Sequence, residues 1–311
     1  MRHAICVLGG TGYIGRALVA RLAADGHDVK VLTRDTVGHR KLAVLPTVRL
    51  ARADVHDEAT LAREFRDCDV VVNLVGILNE RRPGRGDGSE FRRVHTELPA
   101  KVVRACRAAG VSRYLHMSGL NADSKRGPSL YLYSKGEAED HLRRECAAGA
   151  PSVVIFRPSV VFGPEDAFVN TFASMLRFVP VLPLACADAR FAPVYVGDVV
   201  EAFVRALDRR DVLGRSYDLC GPEVVTLGEI VRRAAAALGL RRIVVPLPRP
   251  VARLQAALMD WVPGKPFSTD NFLSATIDSV SDRDGLAELG IEATPMRGTV
   301  ERYLRANFGR A

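Results

Sequence analysis

The 311-residue sequence has no apolar run long enough to cross a membrane. A transmembrane helix needs about 20 consecutive apolar residues, and no stretch of this chain approaches that length. The first residues already have the pattern of a buried strand rather than that of a targeting segment. We therefore expect a cytoplasmic protein without a transmembrane segment.

Cysteine and histidine are present but not in the patterns that bind metals or form disulfide frameworks. The 6 cysteines include no C-x-x-C pair and lie far apart, and the 7 histidines are scattered along the chain. Structural zinc sites and disulfide-rich folds need closely spaced ligands or pairs. We expect reduced, mostly buried thiols and no metal site.

Basic residues exceed acidic ones, yet they are not gathered into a recognition element. The chain has 44 lysines and arginines against 36 aspartates and glutamates, a net charge of +8. Only residues 81–86 concentrate this charge, and no aromatic residues are interleaved with them. Single-strand binders combine basic grooves with stacking aromatics. We therefore expect no nucleic-acid partner.

A glycine-rich turn separates an apolar strand from an amphipathic helix. Residues 4–8 form a short aliphatic run, typical of a strand buried on both faces of a parallel sheet. Glycines at this kind of turn let the backbone approach a pyrophosphate, and the helix N-terminus supplies free N–H groups. The pattern predicts a dinucleotide site whose binding residues include Gly9, Gly12, Tyr13, Ile14 and Gly15.

The residue after the second predicted strand bears on the choice of dinucleotide. Enzymes selective for NAD usually place an acid there to bind the ribose 2′-hydroxyl. This strand ends with Thr33 and Arg34 instead, and a guanidinium matches the geometry of a 2′-phosphate. The pattern favours NADP(H), while the adjacent Asp35 keeps NAD(H) as the alternative.

Further candidates for cofactor contacts lie at the ends of later predicted strands. Asp54 follows the third strand and either faces the adenine or caps the next helix. In a doubly wound sheet the carboxyl ends of the strands border the ligand crevice. The remaining candidates at such ends are Leu74, Val75, Gly76, Pro158, Ser159 and Val160.

Tyr131 and Lys135 form a candidate acid–base pair. They are four residues apart in a predicted helix, so their side chains share one face. A nearby ammonium favours the phenolate, so Lys135 is expected to lower the pKa of Tyr131. Ser118, at the end of the preceding strand, is placed to bind a substrate oxygen. The alternative is that Tyr131 packs in the core and Lys135 is a solvated helix charge.

Strands and helices alternate over the first half of the chain, which predicts an α/β Rossmann-type, doubly wound parallel sheet with a smaller C-terminal α/β substrate lobe. We expect residues 1–164 to form the dinucleotide-binding domain, with 195–220 returning to it. Residues 165–194 and 221–311 are expected to form the smaller lobe.

Three local features of helices are also expected. The pattern predicts a helix over residues 90–109, ended by Gly110. Asp198 is placed to cap the helix that runs through Leu207, and Thr226 with Glu229 forms a capping box ahead of a later helix.

The segment 250–266 carries an apolar stripe beside basic residues, with Val251, Leu254, Leu258 and Trp261 at helical spacing. A helix buried against the smaller lobe is the favoured interpretation. The alternative is a helix that lies on a membrane or a partner.

These motifs together resemble a known family. The glycine turn, Ser118, Tyr131 and Lys135 occur in the order found in short-chain dehydrogenases/reductases of the extended, atypical kind, which are related to NAD-dependent epimerases/dehydratases. More narrowly, the chain resembles the family of NADPH-binding accessory subunits of respiratory complex I and their bacterial relatives. That similarity is carried by residues 116–123, 157–166 and 193–199. It implies that Arg34 lies beside the extra phosphate of NADPH and that Tyr131 and Lys135 contact the nicotinamide ribose.

Two functions remain open at this point. The first is an NADP(H)-dependent oxidoreductase that acts on a small apolar carbonyl or quinone-like substrate. The second is a non-catalytic NADPH-binding accessory or assembly protein of a respiratory or quinone-synthesis complex, placed at the inner face of the membrane. Gly119 and Leu120 stand where active relatives commonly have hydroxyl residues, which keeps the second function open. Sugar-nucleotide epimerase or dehydratase chemistry is a third, less favoured possibility.

Overall fold

The computed structural model describes residues 1–81, 84, 86–147 and 149–309. Arg82, Pro83 and Arg85 of the basic segment lie outside these ranges. The strands of the described residues are β1 (Ala4–Leu8), β2 (Asp28–Thr33), β3 (Val48–Arg52), β4 (Val70–Asn73), β5 (Arg113–Met117), β6 (Ser152–Pro158), β7 (Val161–Phe162), β8 (Val181–Leu184), β9 (Arg190–Phe191), β10 (Val194–Tyr195), β11 (Ser216–Leu219), β12 (Val225–Thr226) and β13 (Ile243–Pro246).

The α-helices of the same ranges are α1 (Tyr13–Ala24), α2 (Glu58–Glu64), α3 (Ser89–Phe91), α4 (Leu98–Ala109), α5 (Leu130–Ala147), α6 (Val169–Phe178), α7 (Val196–Arg205), α8 (Leu227–Ala237), α9 (Arg249–Met259), α10 (Thr269–Ser274), α11 (Gly285–Glu288) and α12 (Met296–Phe308). A short 3₁₀ helix spans Arg40–Val44 and a π-helical turn spans Arg92–Glu97.

A seven-stranded sheet in the order β11-β6-β5-β4-β1-β2-β3 forms the centre of the fold. Each neighbouring pair in it is parallel. The chain order reverses between β1 and β4, and ligands of doubly wound sheets bind outside the strand ends at such a point. The predicted fold class is therefore confirmed, and the glycine turn lies at this point because it directly follows β1.

Both faces of the sheet are covered, which is why its strands are apolar at consecutive positions. Ile5 and Val7 of β1 belong to a core cluster that includes residues of α1 and α7. Cys6 and Leu8 belong to a second cluster with residues of α2, α4 and α5. Successive strand residues point to opposite faces, so an unbroken aliphatic run fills both layers.

A third core cluster lies outside the sheet. It combines apolar residues of α6, α8 and α12, among them Leu176, Ile230 and Leu304, with the short strand β8. Helix α8 begins with the predicted capping box, in which Thr226 and Glu229 each accept a hydrogen bond from the backbone of the other.

Two local expectations are wrong. The helix predicted over 90–109 is interrupted by the π-helical turn, because Pro99 has no N–H to donate to the carbonyl of His95 one turn earlier. Asp198 does not cap α7; it lies in the first turn and accepts hydrogen bonds from the backbone N–H and the hydroxyl of Thr294.

The favoured interpretation of segment 250–266 is also wrong. Helix α9 buries only its small residues Ala252 and Ala256, which pack with Ala185 and Phe272. The large apolar side chains of the predicted stripe face solvent, with exposed fractions of 47% for Val251, 61% for Leu254, 59% for Leu258 and 72% for Trp261. The periodicity is correct, but the face that contacts the protein is the one with small side chains.

Candidate functional site

The glycine turn brings the ends of β1 and β4 into contact. Gly9 has a φ of +77°, and a Cβ on it would lie 2.9 Å from the Leu74 carbonyl carbon. A Cβ on Gly15 would overlap the Gly9 carbonyl oxygen, so α1 packs this close to the turn only with glycine there. The turn is closed by the Gly12 N–H, which donates to Gly9 O over 3.0 Å.

The N-terminus of α1 suits a phosphate group. Gly12 is its N-cap and supplies no side-chain acceptor, and the first turn contains no acidic residue. The first amides of a helix have no partner within it, so those of Tyr13, Ile14 and Gly15 can bind an anion together with the helix dipole. The side chain of Tyr13 contributes nothing there, because its buried hydroxyl lies against Gly163.

The predicted residues at the ends of β2 and β3 are exposed. Arg34 forms no hydrogen bond or ion pair with any described residue. The Asp35 carboxylate instead accepts a bond of 2.8 Å from the Gly38 N–H and so closes its own turn. Asp54 likewise accepts from the His56 N–H, while the cap of α2 is Asp57.

The β4 end joins the glycine turn to the candidate acid–base pair. The Leu74 N–H donates to Leu8 O over 2.9 Å, which holds β4 against β1. Two residues later, a Cβ on Gly76 would lie 3.5 Å from Lys135 Nζ and 3.6 Å from His95 Nε2. The structure thus brings the residues predicted from separate strands to one edge of the sheet.

Lys135 and Tyr131 both lie on α5, in an environment that differs from the expected one. Lys135 is buried, donates to the Met117 carbonyl oxygen over 3.0 Å, and has its pKa lowered to about 8 by burial. Burial and the charge of Asp270 raise the pKa of Tyr131 to about 12. The expected lowering of the Tyr131 pKa is therefore wrong, because desolvation outweighs any effect of the ammonium.

Ser118 and Gly119 lie at the carboxyl end of β5. The Ser118 hydroxyl is buried, and it has no hydrogen-bond partner among the described residues. A Cβ on Gly119 would be only 3.1 Å from the Tyr131 hydroxyl oxygen, so this glycine borders the phenol directly. A buried hydroxyl without a partner marks a place where a ligand or water supplies one.

The β6 end contributes backbone rather than side chains. The Leu120 N–H donates to Pro158 O over 2.9 Å, and the Ser159 N–H donates to Leu219 O over 3.0 Å. The Ser159 hydroxyl bonds to Ser279 instead of pointing to an open site. Val160 accepts from the Val194 N–H. The three residues thus fix the course of the chain beside Gly119 and Leu120.

His95 and Asp270 are two site residues that sequence reasoning missed. The Ile77 N–H donates to His95 Nε2 over 3.0 Å, so Nδ1 carries the proton and donates to Ser134 Oγ. The His95 ring also meets the ring of Tyr131 edge-on, with centroids 5.4 Å apart. Pro99 was the available signal, because a proline inside a helical pattern distorts it one turn earlier.

Asp270 reaches the site from the other end of the chain. Its two carboxylate oxygens accept from the N–H groups of Leu130 and Tyr131, over 2.7 Å and 3.1 Å. No local pattern marks this contact, because the partners are about 140 residues apart.

The residues at this edge fit a nicotinamide dinucleotide. The free amides of α1 are suited to the pyrophosphate. Gly76 lacks a side chain, which leaves space between this turn and Lys135 for the rest of the nucleotide. The unpartnered Ser118 hydroxyl and the Tyr131 phenol lie at the far end of this path.

A family comparison agrees with this geometry. The model of the NAD dependent epimerase/dehydratase family matches residues 5–220, from β1 to the residue after β11. The chain belongs to this family. The matched range therefore covers the strands of the central sheet except for Ala4 of β1, and the resemblance predicted from the sequence is confirmed.

Members of the family with known names are similar over most of the chain. Rat mitochondrial NADH dehydrogenase (ubiquinone) 1 alpha subcomplex subunit 9 is 31% identical over 299 residues, covering 93% of this chain and 76% of the relative. Ceramide reductase of Caulobacter vibrioides is 31% identical over 262 residues, covering 83% and 78%. The Thermus thermophilus UDP-glucose 4-epimerase, solved in complex with NAD, superposes with a TM-score of 0.67 at 25% identity, covering 89% and 98%.

The epimerase/dehydratase family is NAD-dependent, so the dinucleotide predicted from the glycine turn agrees with the family. Homologues of the chain include respiratory complex I subunits. In the described part of the chain, every helix is too short or too polar to span a bilayer.

Proposed function

We propose that the protein is an NADP(H)-dependent oxidoreductase that reduces a small apolar carbonyl or quinone-like substrate. The observation that carries this proposal is the contact at Gly76. There the chain that follows β4 comes close to buried Lys135, because a Cβ on Gly76 would lie 3.5 Å from Lys135 Nζ. The same chain segment contacts the dinucleotide turn at Leu74, and Lys135 is on the helix that also holds Tyr131. The surface proposed to bind the dinucleotide therefore adjoins the proposed acid–base groups.

The preference for NADP(H) is supported by Arg34 and Asp35. An exposed guanidinium without a partner among the described residues is available for a 2′-phosphate. The Asp35 carboxylate is occupied by the Gly38 N–H, so it is less available for a ribose 2′-hydroxyl.

The proposed chemistry assigns one role to each side chain. The nicotinamide supplies the hydride when it is bound. Tyr131, whose pKa is raised to about 12, keeps its proton at neutral pH and donates it to the substrate oxygen. Lys135 binds the nicotinamide ribose and is held in place by the Met117 carbonyl oxygen. Ser118 donates a hydrogen bond that orients the substrate oxygen.

A second candidate is a non-catalytic NADPH-binding accessory or assembly protein of a respiratory or quinone-related complex. It is favoured by the relatives named as complex I subunits and by the burial of Ser118, which is only 2% exposed. For either function we propose a cytoplasmic location at the inner face of the membrane.

Nucleotide identity is tested on the purified protein. We expect mass spectrometry to detect NADP(H) released on denaturation, and titration to show tighter binding of NADPH than of NADH. Arg34→Ala should weaken NADPH binding at least about tenfold, equivalent to about 1.4 kcal/mol, and leave NADH binding unchanged. Arg49→Ala, an exposed arginine on β3, is the control. An unaltered NADPH preference in Arg34→Ala would contradict the cofactor assignment.

Catalysis is tested with a panel of carbonyl compounds and quinones. Tyr131→Phe should abolish turnover and keep NADPH affinity within about twofold, because the ring remains and only the proton donor is lost. Tyr133→Phe, on the exposed side of the same helix, should retain full turnover. Full turnover by Tyr131→Phe would remove Tyr131 from the mechanism, and no turnover by the wild-type protein despite NADPH binding would favour the accessory function.

A further inference from the structure

Helix α9 and the residues after it expose an apolar face that nothing in the described structure covers. We call Val251, Leu254, Leu258 and Trp261 the α9 face. Their spacing of three, four and three residues aligns them along one side of the helical path. Each is at least 47% exposed, and contiguous exposed apolar patches mark interaction sites.

The helix that carries the α9 face is packed on the rest of the protein. On the opposite side of the helix, Ala252 and Ala256 are buried against Phe272. Beside Trp261, the Gly84 N–H donates to Asp260 O, and Lys265 Nζ donates to Gly84 O, both over 2.9 Å. The backbone next to the indole is thus hydrogen-bonded to other segments of the chain.

The charged side chains of α9 itself, Arg249 and Arg253, are both positive. Residues 241–259 contain four arginines and no aspartate or glutamate. Arg249 and Arg253 are exposed on α9, and neither is ion-paired with a described residue. The next acid, Asp260, is buried, and its carboxylate accepts from the N–H and hydroxyl of Thr269. The surface thus combines apolar side chains with unpaired positive charge.

This combination is complementary to an anionic lipid surface. A helix at a bilayer interface places large apolar residues in the acyl boundary and arginines among the headgroup phosphates. Tryptophan is favoured at that boundary, because its ring is apolar and its N–H is polar. The polar residues of α9 are Arg249, Arg253 and Gln255, so the helix carries no acid that would repel an anionic surface.

We propose that the α9 face docks the protein on the surface of an anionic phospholipid bilayer, with α9 lying parallel to the membrane and Arg249 and Arg253 contacting lipid phosphates. This proposal rests on the peripheral location proposed above. It adds which surface of the protein contacts the membrane and which lipid headgroups that surface binds. It does not depend on nucleotide binding or on catalysis.

The only tryptophan in the sequence is Trp261, so the intrinsic fluorescence reports on the α9 face directly. The probe is a vesicle of phosphatidylcholine with about 30% phosphatidylglycerol, compared with pure phosphatidylcholine. We expect co-sedimentation at least about tenfold stronger with anionic vesicles, a blue shift of the emission, quenching by brominated acyl chains, and weaker binding at high salt. Binding without a blue shift or quenching would overturn the proposal, as would the absence of binding.

Matched variants separate the apolar and the charged parts. Leu254→Gln/Leu258→Gln and Arg249→Gln/Arg253→Gln should each weaken vesicle binding at least about tenfold. Val37→Gln/Val44→Gln and Arg66→Gln/Arg144→Gln alter exposed residues of the nucleotide-binding half and should bind vesicles like the wild type. Equal binding by all four variants would contradict the assignment to α9.

Folding and self-association of the variants are measured separately. NADPH titration of each variant should give wild-type affinity, which confirms folding. It also separates a failure of membrane docking from a failure of the proposed nucleotide function. Analytical ultracentrifugation without vesicles should show no Trp261-dependent self-association. A blue shift that grows with protein concentration alone would overturn the proposal and identify a second copy of the chain as the occupant.

Discussion

Gly12 and Gly15 lie in the same turn but serve different purposes. Gly15 is buried, and a Cβ there would overlap the Gly9 carbonyl oxygen. Gly12 is exposed, and its Cβ would be 3.3 Å from the same oxygen, which a small shift can accommodate. Gly15 is therefore required for the packing of α1 against the turn. Gly12 is required for the access of a ligand to the helix N-terminus.

We predict opposite outcomes for the two alanine variants. Gly15→Ala should lower the free energy of unfolding by about 1–3 kcal/mol, because packing at the turn cannot absorb a methyl group. Gly12→Ala should cost less than about 1 kcal/mol and reduce NADPH affinity at least about tenfold, since the methyl occupies the approach of the pyrophosphate. Urea unfolding and fluorescence titration measure the two effects. Equal stability losses would contradict this division.

His95 and His116 are neutral residues in the core beside Lys135. Burial and the Lys135 charge hold the pKa of both imidazoles well below 6.5. His95 additionally accepts a hydrogen bond from the Ile77 N–H, which requires an unprotonated Nε2. The unfolded chain therefore binds more protons than the folded one just below the ordinary histidine pKa.

This imbalance predicts a loss of stability in mild acid. The unfolded state binds more protons than the folded state in this pH range, so acid favours unfolding. The free energy of unfolding should therefore fall as the pH drops below about 6.5, by at most about 1.4 kcal/mol per pH unit for each histidine. His95→Gln should show a slope that is shallower by about half a proton at pH 6.5 and by about 0.9 proton at pH 5.5. Urea unfolding at several pH values measures it, and an unchanged slope would mean that His95 is not held neutral.

At the scale of elements, α5 depends on a residue from the C-terminal part of the chain. The Asp270 carboxylate binds the first amides of this helix, including that of Tyr131. A negative charge at a helix N-terminus also interacts favourably with the helix dipole. The acid–base helix is thereby positioned by α10, not only by the sheet on which it packs.

We expect Asp270→Ala to affect both stability and the site. Loss of the cap should lower the free energy of unfolding by about 1–2 kcal/mol and should weaken NADPH binding and any turnover, because Tyr131 loses its support. Asp284→Ala removes a comparable cap, that of α11, at which the Ala287 N–H donates to Asp284. This control should lose similar stability without any change in NADPH affinity. A normal site in Asp270→Ala would rule out a positioning role.

At the scale of the whole molecule, polar contacts that are buried or partly buried join C-terminal segments to the rest of the chain. Asp166 accepts a hydrogen bond of 2.9 Å from the Tyr303 hydroxyl, and Ser159 donates to Ser279 O over 2.8 Å. Asp198 binds Thr294 in the same way. These contacts tie the C-terminal segments to the rest of the chain, so we expect the core clusters to unfold together.

Nucleotide should therefore stabilise the entire chain. At a concentration about 100 times its dissociation constant, NADPH should raise the free energy of unfolding by about 2.7 kcal/mol. Differential scanning calorimetry should show one transition that moves to higher temperature. Gly12→Ala, at the same nucleotide concentration, should show a smaller shift. Two separated transitions, of which NADPH moves only one, would show that the clusters unfold independently.

Local pattern was sufficient wherever the determining interactions are local. The aliphatic strands, the glycine turn, the capping box at Thr226 and the four-residue spacing of Tyr131 and Lys135 depend on neighbours within a few residues. The alternation of side chains along a strand and the steric freedom of glycine are set by local covalent geometry, so both can be inferred from the sequence. The family and the central sheet could therefore be predicted from the sequence.

Three features depended on which surfaces meet in the folded chain. The α9 periodicity was visible, but only packing shows that Ala252 and Ala256, not Leu254 and Leu258, contact the protein. The direction of the Tyr131 pKa follows from burial and from Asp270, which is 139 residues away. The position of His95 follows from a π-helical turn. Desolvation and long-range contacts arise only when distant segments are brought together, so tertiary structure alone decides them.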